Sequence, residues 1–99
     1  MDQRTNIMTA YIIVDLTPTD KQKLQQYSAM AAETLIPFNG EFIAKGPIEV
    51  LHGEQGFQTK VIIGFADRAS AEGWYHSEAY QKIINLRNQA MKSQFHLVG

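Results

Sequence analysis

The chain has 99 residues, of which 44% are hydrophobic and 19% are charged, and its formal net charge is −1 at pH 7. This length suits one domain, and the composition is that of a globular protein rather than a disordered one. The small net charge and the lack of a basic run argue against a nucleic-acid partner. The sequence contains no cysteine, which excludes disulfides, thiolate metal sites and a cysteine nucleophile, and which fits a cytoplasmic location.

The first seven residues, MDQRTNI, are mostly polar and precede the first periodic segment. The apolar run that follows, Ala10 to Leu16, is interrupted by Asp15 and is too short for a membrane span or a signal-peptide core. We therefore expect a flexible extension at residues 1–7, a single domain at residues 8–99 and no membrane partner.

The domain is predicted to begin with a strand and a helix. Tyr11–Leu16 is nearly continuous in apolar and β-branched residues, as a central strand covered on both faces would be. Thr17 and Asp20 are alternative N-caps for the helix that follows, and the sequence does not distinguish them. Residues at spacings of three and four place one apolar face on this helix: Leu24, Tyr27, Ala31 and Leu35.

A second strand is predicted after the helix, which Pro37 and Asn39-Gly40 end. Glu41–Gly46 forms this strand, and Ile48–His52 is expected to continue it after an interruption at Pro47, since proline cannot donate a ladder hydrogen bond.

The second half of the domain is predicted to run from a strand through two helices to a last strand. Thr59–Phe65 is apolar on both faces, and Asp67 caps a short helix that extends through Trp74. Ser77 caps a second helix, and Ser93–Val98 forms the fourth strand. One stripe of that second helix carries Tyr80, Ile83, Ile84, Arg87 and Met91.

Three segments carry a family resemblance: TAYIIVDLT, FNGEFIAKG and the pattern F-x-D-x-x-x-A-x-x-W-Y-x-S-x-x-Y from Phe65 to Tyr80. From about Ala10 to Gly99 the chain resembles the bacterial domain of unknown function 1330 family, within the dimeric α+β barrel superfamily. The resemblance implies a ferredoxin-like βαββαβ fold of the α+β class, whose sheets pair face to face in a homodimer. We expect an antiparallel sheet of order 4-1-3-2 with the helices on one face. The resemblance implies no established activity.

The chain departs from the family pattern at three places. It has Asn39-Gly40-Glu41 where relatives have Gly-Gly-Arg, Lys45 where they have Arg, and His52-Gly53 where they have Glu-Gly. The change to Glu41 reverses a charge, so an anionic ligand shared by the family would be bound differently here.

The strand pattern independently predicts a homodimer. One layer of helices covers one face of a sheet, yet the central strands are apolar on both faces. The uncovered patch is too large for a monomer, so a two-fold symmetric contact should cover it.

Aromatic residues supply the candidates for a ligand site. Trp74 and Tyr75 stand at a corner between two helices, where each is either a core residue or the wall of a pocket between sheet and helices. Tyr11 is expected to line the same pocket. Tyr27 and Tyr80 lie on apolar stripes and are predicted to be core residues whose hydroxyls need hydrogen-bond partners.

Few residues suggest catalysis. Asp15 interrupts an apolar strand, where it is either a buried base or a surface carboxylate that faces water or caps the helix. His52, at a strand end, and His76, at the helix corner, are the remaining weak catalytic candidates. With His96 they lack metal-ligand spacing, and no phosphate-binding loop or catalytic triad is present, so no metal or cofactor is predicted.

Three functions remain open: a protein that binds a small aromatic or apolar molecule, a cofactor-independent monooxygenase, isomerase or lyase, and a structural or regulatory dimer without a ligand. A pocket that brings one of Asp15, His52 and His76 together with a second polar group would favour the enzyme. A dry, filled interior would favour the structural dimer.

Overall fold

The computed structural model describes residues 7–99 and shows a four-stranded antiparallel sheet with its helices packed against one face. The strand order is β2-β3-β1-β4, so the predicted α+β architecture, the strand order and the two central strands are confirmed. The elements in chain order are β1 (Ala10–Pro18), α1 (Lys21–Leu35), a 3-10 turn (Ile36–Phe38), β2 (Glu41–Pro47), β3 (Thr59–Phe65), α2 (Arg68–Tyr75), α3 (Glu78–Gln81), α4 (Ile84–Ala90) and β4 (Met91–Val98). The extension predicted at residues 1–7 lies outside the described residues except for Ile7.

The two faces of the sheet differ because successive side chains of a strand point in opposite directions. Ile12 and Val14 of β1 are buried in the core with the helices, and their pairing partners in β3 are Ile63 and Val61. The other side of the sheet is the helix-free face. Its apolar side chains include those of Tyr11, Ile13, Ile43, Ile62 and Val98.

Helix α1 begins where its cap predicts and buries the expected stripe. The Asp20 carboxylate accepts a hydrogen bond from the Lys23 backbone N–H at 3.0 Å, which identifies Asp20 rather than Thr17 as the N-cap. The helix ends at Leu35, and Asn39 then adopts the left-handed conformation with φ of 55°. Its buried residues are Tyr27, Ala31 and Leu35.

The prediction that Ile48–His52 continues the second strand is wrong. Strand β2 ends at Pro47, and only the Ile48 N–H extends the pairing, by donating to the Gln58 carbonyl at 2.9 Å. Bends then turn the chain, and Gly53 has a φ of +93°, which residues other than glycine rarely adopt. A segment that reverses direction cannot stay in the ladder.

The predicted second helix is divided, and its last stripe residue belongs to a strand. Ser77 caps α3 as predicted, but Lys82 and Ile83 separate α3 from α4. Helix α4 ends at Ala90. The Ala90 carbonyl accepts hydrogen bonds from the Thr19 and Asp20 N–H groups rather than from the N–H group of a further helical turn. Met91 is extended and pairs with Pro18, so it stays buried but as the first residue of β4. Within residues 7–99, no helix combines the length and apolarity needed to cross a membrane.

Candidate functional site

A cavity of about 460 Å³ lies between α1 and the helix-bearing face of the sheet. The sheet contributes residues of all four strands to its wall, among them Val14, Val61 and Ile63. Helix α1 contributes Leu24 and Ala31 on the opposite side. The cavity therefore occupies the layer between helix and sheet, where a core would otherwise be filled.

The cavity exists because α1 presents small side chains to a sheet that is only partly covered. Ser28 and Ala31 face the interior from the middle of the helix. Beyond them lies the edge strand β2, in which every residue except Gly46 is exposed. Phe42 and Lys45 of this strand line the open side of the cavity. Small side chains on one wall and an uncovered edge strand on the other leave space.

Four polar side chains interrupt an otherwise apolar lining: Tyr27, Ser28, Lys45 and Thr59. Lys45 is exposed, whereas Tyr27 is only 7% exposed. Small-molecule sites are typically concave and apolar, with a few polar groups that orient the ligand. The cavity has this composition.

A hydrogen-bonded network of tyrosines and one arginine stands behind the cavity wall. The Tyr27 and Tyr80 hydroxyl oxygens are 2.7 Å apart, which confirms that these core tyrosines find polar partners. Arg87 Nη1 donates to the Tyr75 hydroxyl at 3.1 Å and to the Tyr80 hydroxyl at 3.3 Å. The guanidinium also lies 4.8 Å from the centre of the Phe95 ring. The network joins α1, α2, α3 and α4.

Burial and hydrogen bonding shift the pKa values of the network. Burial, with smaller contributions from the neighbouring Tyr80, raises the pKa of Tyr27 far above its ordinary 10.0. Burial likewise raises the pKa of Tyr80, although its hydrogen bonds with Tyr27 and Arg87 oppose the shift. Burial lowers the pKa of Arg87, but the hydrogen bonds to Tyr75 and Tyr80 outweigh it and the net shift is upward. Both tyrosines are neutral donors at physiological pH.

The predicted aromatic corner is packed, and one of its residues reaches the cavity. Trp74 lines the cavity and is 1% exposed, and its indole N–H donates to the Thr34 hydroxyl at 2.9 Å. Tyr75 is absent from the lining; its ring packs against that of Phe95, with the ring centres 5.8 Å apart and the planes inclined by 55°. His76 is exposed. The corner therefore contributes Trp74 to the buried wall of the cavity and contributes nothing to its opening.

The structure separates Tyr11 from the other predicted ligand-binding residues. It lies on the helix-free face, where its hydroxyl donates to the Met8 carbonyl at 3.1 Å. The expectation that Tyr11 lines a pocket between sheet and helices is wrong, because odd-numbered residues of β1 point away from the helices. The ligand-binding roles of Trp74 and Tyr75 stay predictions.

Asp15 is buried at 5% exposure, and it neither faces water nor caps α1. Its carboxylate accepts from Gln94 Nε2 at 2.8 Å and lies 3.2 Å from Lys60 Nζ, all on the helix-free face. His52 is exposed in the loop after β2, and His76 at the end of α2. None of the three lines the cavity. Within the described part of the chain, no cluster of three or more His, Asp or Glu side chains could bind a metal.

Arg87 is the site residue whose role the sequence did not indicate. The stripe of the predicted helix places Tyr80 and Arg87 seven residues apart on one face, which is the signal that could have linked them. The pattern does not predict the contact with Tyr27, because Tyr27 belongs to another helix and precedes Tyr80 by 53 residues in the chain.

The sequence matches the model of a protein family described as "Domain of unknown function (DUF1330)" over residues 9–99. No curated protein of similar sequence was found.

Solved structures share the fold. A protein of unknown function from Rhodopseudomonas palustris has a TM-score of 0.73 at 12% identity, over 97% of this chain and 87% of that one. A dimeric ferredoxin-like protein of unknown function from Jannaschia sp. CCS1 has a TM-score of 0.69 at 14% identity, over 91% and 97%. SnoaB, a cofactor-independent oxygenase from Streptomyces nogalater, has a TM-score of 0.65 at 10% identity, over 94% and 93%. At these identities the similarity establishes a ferredoxin-like fold.

The raised tyrosine pKa values predict a loss of stability at alkaline pH. Above the ordinary pKa of about 10 the unfolded chain loses its tyrosine protons while folded Tyr27 keeps its own. The free energy of unfolding should therefore be unaffected by this group below pH 10 and fall as pH rises above it. Tyr27→Phe removes this dependence, so urea unfolding between about pH 9 and about pH 11 should show a shallower decline, by up to about 1.4 kcal/mol per pH unit. Parallel curves for the two proteins would contradict the burial of the Tyr27 hydroxyl.

Proposed function

This chain belongs to the DUF1330 family, and we propose that it binds a small, largely apolar organic molecule in the cavity between α1 and the sheet. The observation that carries the proposal is the cavity itself, with a volume of about 460 Å³ and twelve apolar residues among its sixteen lining residues. Ligand sites in proteins fall between about 300 and 1,000 Å³ and are lined mainly by apolar side chains. A small aromatic molecule fits within this volume.

The lining favours binding over catalysis. None of Asp15, His52 and His76 contributes to the cavity, so no predicted acid or base meets a second polar group there. The oxygenase activity described for SnoaB belongs to that protein, and a similarity of 10% identity supports the fold alone. A structural dimer without a ligand is disfavoured because an unfilled core lowers the stability of the fold and would serve no purpose in such a protein.

Titration with N-phenyl-1-naphthylamine, whose fluorescence rises in apolar surroundings, tests the proposal. We expect a saturable increase with one probe bound per chain. Ala31→Phe places a ring in the cavity, so it should weaken binding by about tenfold or more. Ser28→Phe, from the same wall, should act in the same direction and provides a second test if one variant folds poorly.

Ala32→Phe is the matched control, because Ala32 is the exposed neighbour of the buried Ala31 on the same helix. It should leave probe affinity unchanged, and circular dichroism should show that the variants are folded. Equal affinity of all four proteins, or no saturable binding by the wild type, would contradict a ligand site in this cavity.

We further propose that the protein is a homodimer joined through the helix-free face. Ile43 and Val98 of this face are 49% and 55% exposed, and Tyr11, Ile13 and Ile62 complete the apolar patch. An apolar patch of this kind marks an interface, and a two-fold axis lets one patch cover its copy. The Jannaschia protein is described as dimeric, which agrees with this arrangement.

Replacing Ile43 by glutamate should shift the protein toward monomer, because dimerisation would bury the new charge without a partner. Ile36→Glu is the matched control: Ile36 is 71% exposed and lies in the 3-10 turn after α1, away from this face. Sedimentation velocity at micromolar concentration should show a dimer for the wild type and for Ile36→Glu. A monomeric wild type, or an undisturbed dimer in Ile43→Glu, would refute the interface.

A further inference from the structure

The direction of one buried hydrogen bond determines what the cavity offers to a ligand. Either tyrosine hydroxyl could donate in the pair between Tyr27 and Tyr80, since each carries one hydrogen and can accept two bonds. Arg87 removes this ambiguity. Its guanidinium is a permanent donor with no accepting atom, and its Nη1 donates to the Tyr80 oxygen.

In one of the two arrangements, Tyr27 donates to Tyr80. The Tyr80 oxygen would then accept two hydrogen bonds, from Tyr27 and from Arg87, and its own hydrogen would need another acceptor. Tyr80 is 0% exposed, and the described residues supply no further partner for its hydroxyl. A buried donor without an acceptor is costly, so this arrangement is disfavoured.

In the opposite arrangement the buried Tyr80 hydroxyl both accepts and donates, and the unpaired hydrogen of the pair belongs to Tyr27. Arg87 donates to Tyr80, and Tyr80 donates to Tyr27. The Tyr27 oxygen then accepts, and its own hydrogen has no acceptor among residues 7–99. Tyr27 lines the cavity, so the cavity is where that hydrogen can find a partner.

We infer that the Tyr27 hydroxyl is a hydrogen-bond donor directed at the ligand, and that the ligand carries an uncharged carbonyl oxygen that accepts from it. This inference rests on the proposed function. One neutral donor satisfies a carbonyl oxygen, whereas a carboxylate buried beside Tyr27 would need a cation or several donors. The cation in the lining, Lys45, is exposed and belongs to the open side of the cavity rather than to the buried wall that holds Tyr27. Arg87 is then a positioning residue: it does not line the cavity, and it fixes the direction of the relay from behind.

The raised pKa of Tyr27 is consistent with a donor role. Because burial keeps the hydroxyl protonated well above neutral pH, its hydrogen is present wherever the protein is folded. The ligand affinity that depends on this hydrogen bond should therefore be constant across the neutral range.

Two isosteric competitors test the inference: 2-acetylnaphthalene, which has a carbonyl, and 2-isopropenylnaphthalene, which has a methylene group in its place. Each is titrated against bound N-phenyl-1-naphthylamine to obtain its inhibition constant. Tyr27→Phe should weaken the ketone about tenfold, because its buried carbonyl loses its donor, and should leave the hydrocarbon within about twofold. Tyr11→Phe is the matched control, since its hydroxyl lies on the helix-free face, and should change neither constant.

The carbonyl stretching band of the bound ketone tests the role of Arg87. A hydrogen bond lowers this frequency, so the band should lie lower in the wild type than in Tyr27→Phe. Arg87→Met frees the Tyr80 oxygen to accept from Tyr27, so the band should rise toward its position in Tyr27→Phe. Arg68→Met, which removes an exposed arginine elsewhere, should leave it unchanged.

The outcomes separate the two proposals. If both competitors displace the probe but Tyr27→Phe affects them equally, the donor inference is overturned and the apolar site stands. If neither competitor displaces the probe from the wild type, the site itself is refuted, and the inference with it.

Discussion

The hydrogen bond between the Tyr27 and Tyr80 hydroxyls connects the two halves of the helical layer. Tyr27 belongs to α1 and Tyr80 to α3, and the 2.7 Å contact between them is buried. Two polar atoms in an apolar interior must bond to each other or lose stability, so this pair constrains how far the helices can separate. Arg87 gives the pair its polarity, and the edge-to-face contact of the two rings at 6.4 Å supports its geometry.

The position of the cavity follows from the position of this hydrogen bond, which joins the helices over only part of the sheet. On the side of Tyr80 the interior is filled by large rings, since Trp74 and Phe65 are both at most 1% exposed. On the other side α1 has Ser28 and Ala31, and the edge strand β2 has no helix above it. A single layer of helices can be closely packed over half of the sheet and open over the other half. The same shortage of covering elements leaves the helix-free face apolar and available to a second copy.

Local signals in the sequence were enough to predict the sheet and its caps. Asp20, Asp67 and Ser77 each accept a backbone hydrogen bond at a helix start, which is a short-range preference that residue type reveals. Element boundaries that depend on tertiary contacts are not predictable in this way. Met91 continues the apolar stripe of a helix in the sequence, but its pairing with Pro18 makes it a strand residue.

The site was less predictable because its parts meet only in the fold. The sequence does not decide whether Trp74 is a core residue or a pocket wall. The expected position of Tyr11 is on the wrong face, because the pattern of β1 is apolar on both sides and does not indicate which side bears helices. The sequence does not decide between burial and exposure for Asp15, because its partners Lys60 and Gln94 come from two other strands. The cavity itself has no sequence motif, because it results from small side chains facing an edge strand.

Intermolecular nuclear Overhauser effects between bound N-phenyl-1-naphthylamine and labelled methyl groups test the location of the ligand most directly. A ligand beneath α1 should give effects to the methyl groups of Leu24, Ala31 and Val61, which line the cavity. It should give none to Ile13 and Ile62, which lie on the helix-free face. Effects confined to Ile13 and Ile62 would show that the probe binds the outer face of the sheet, and would contradict a ligand site between helix and sheet.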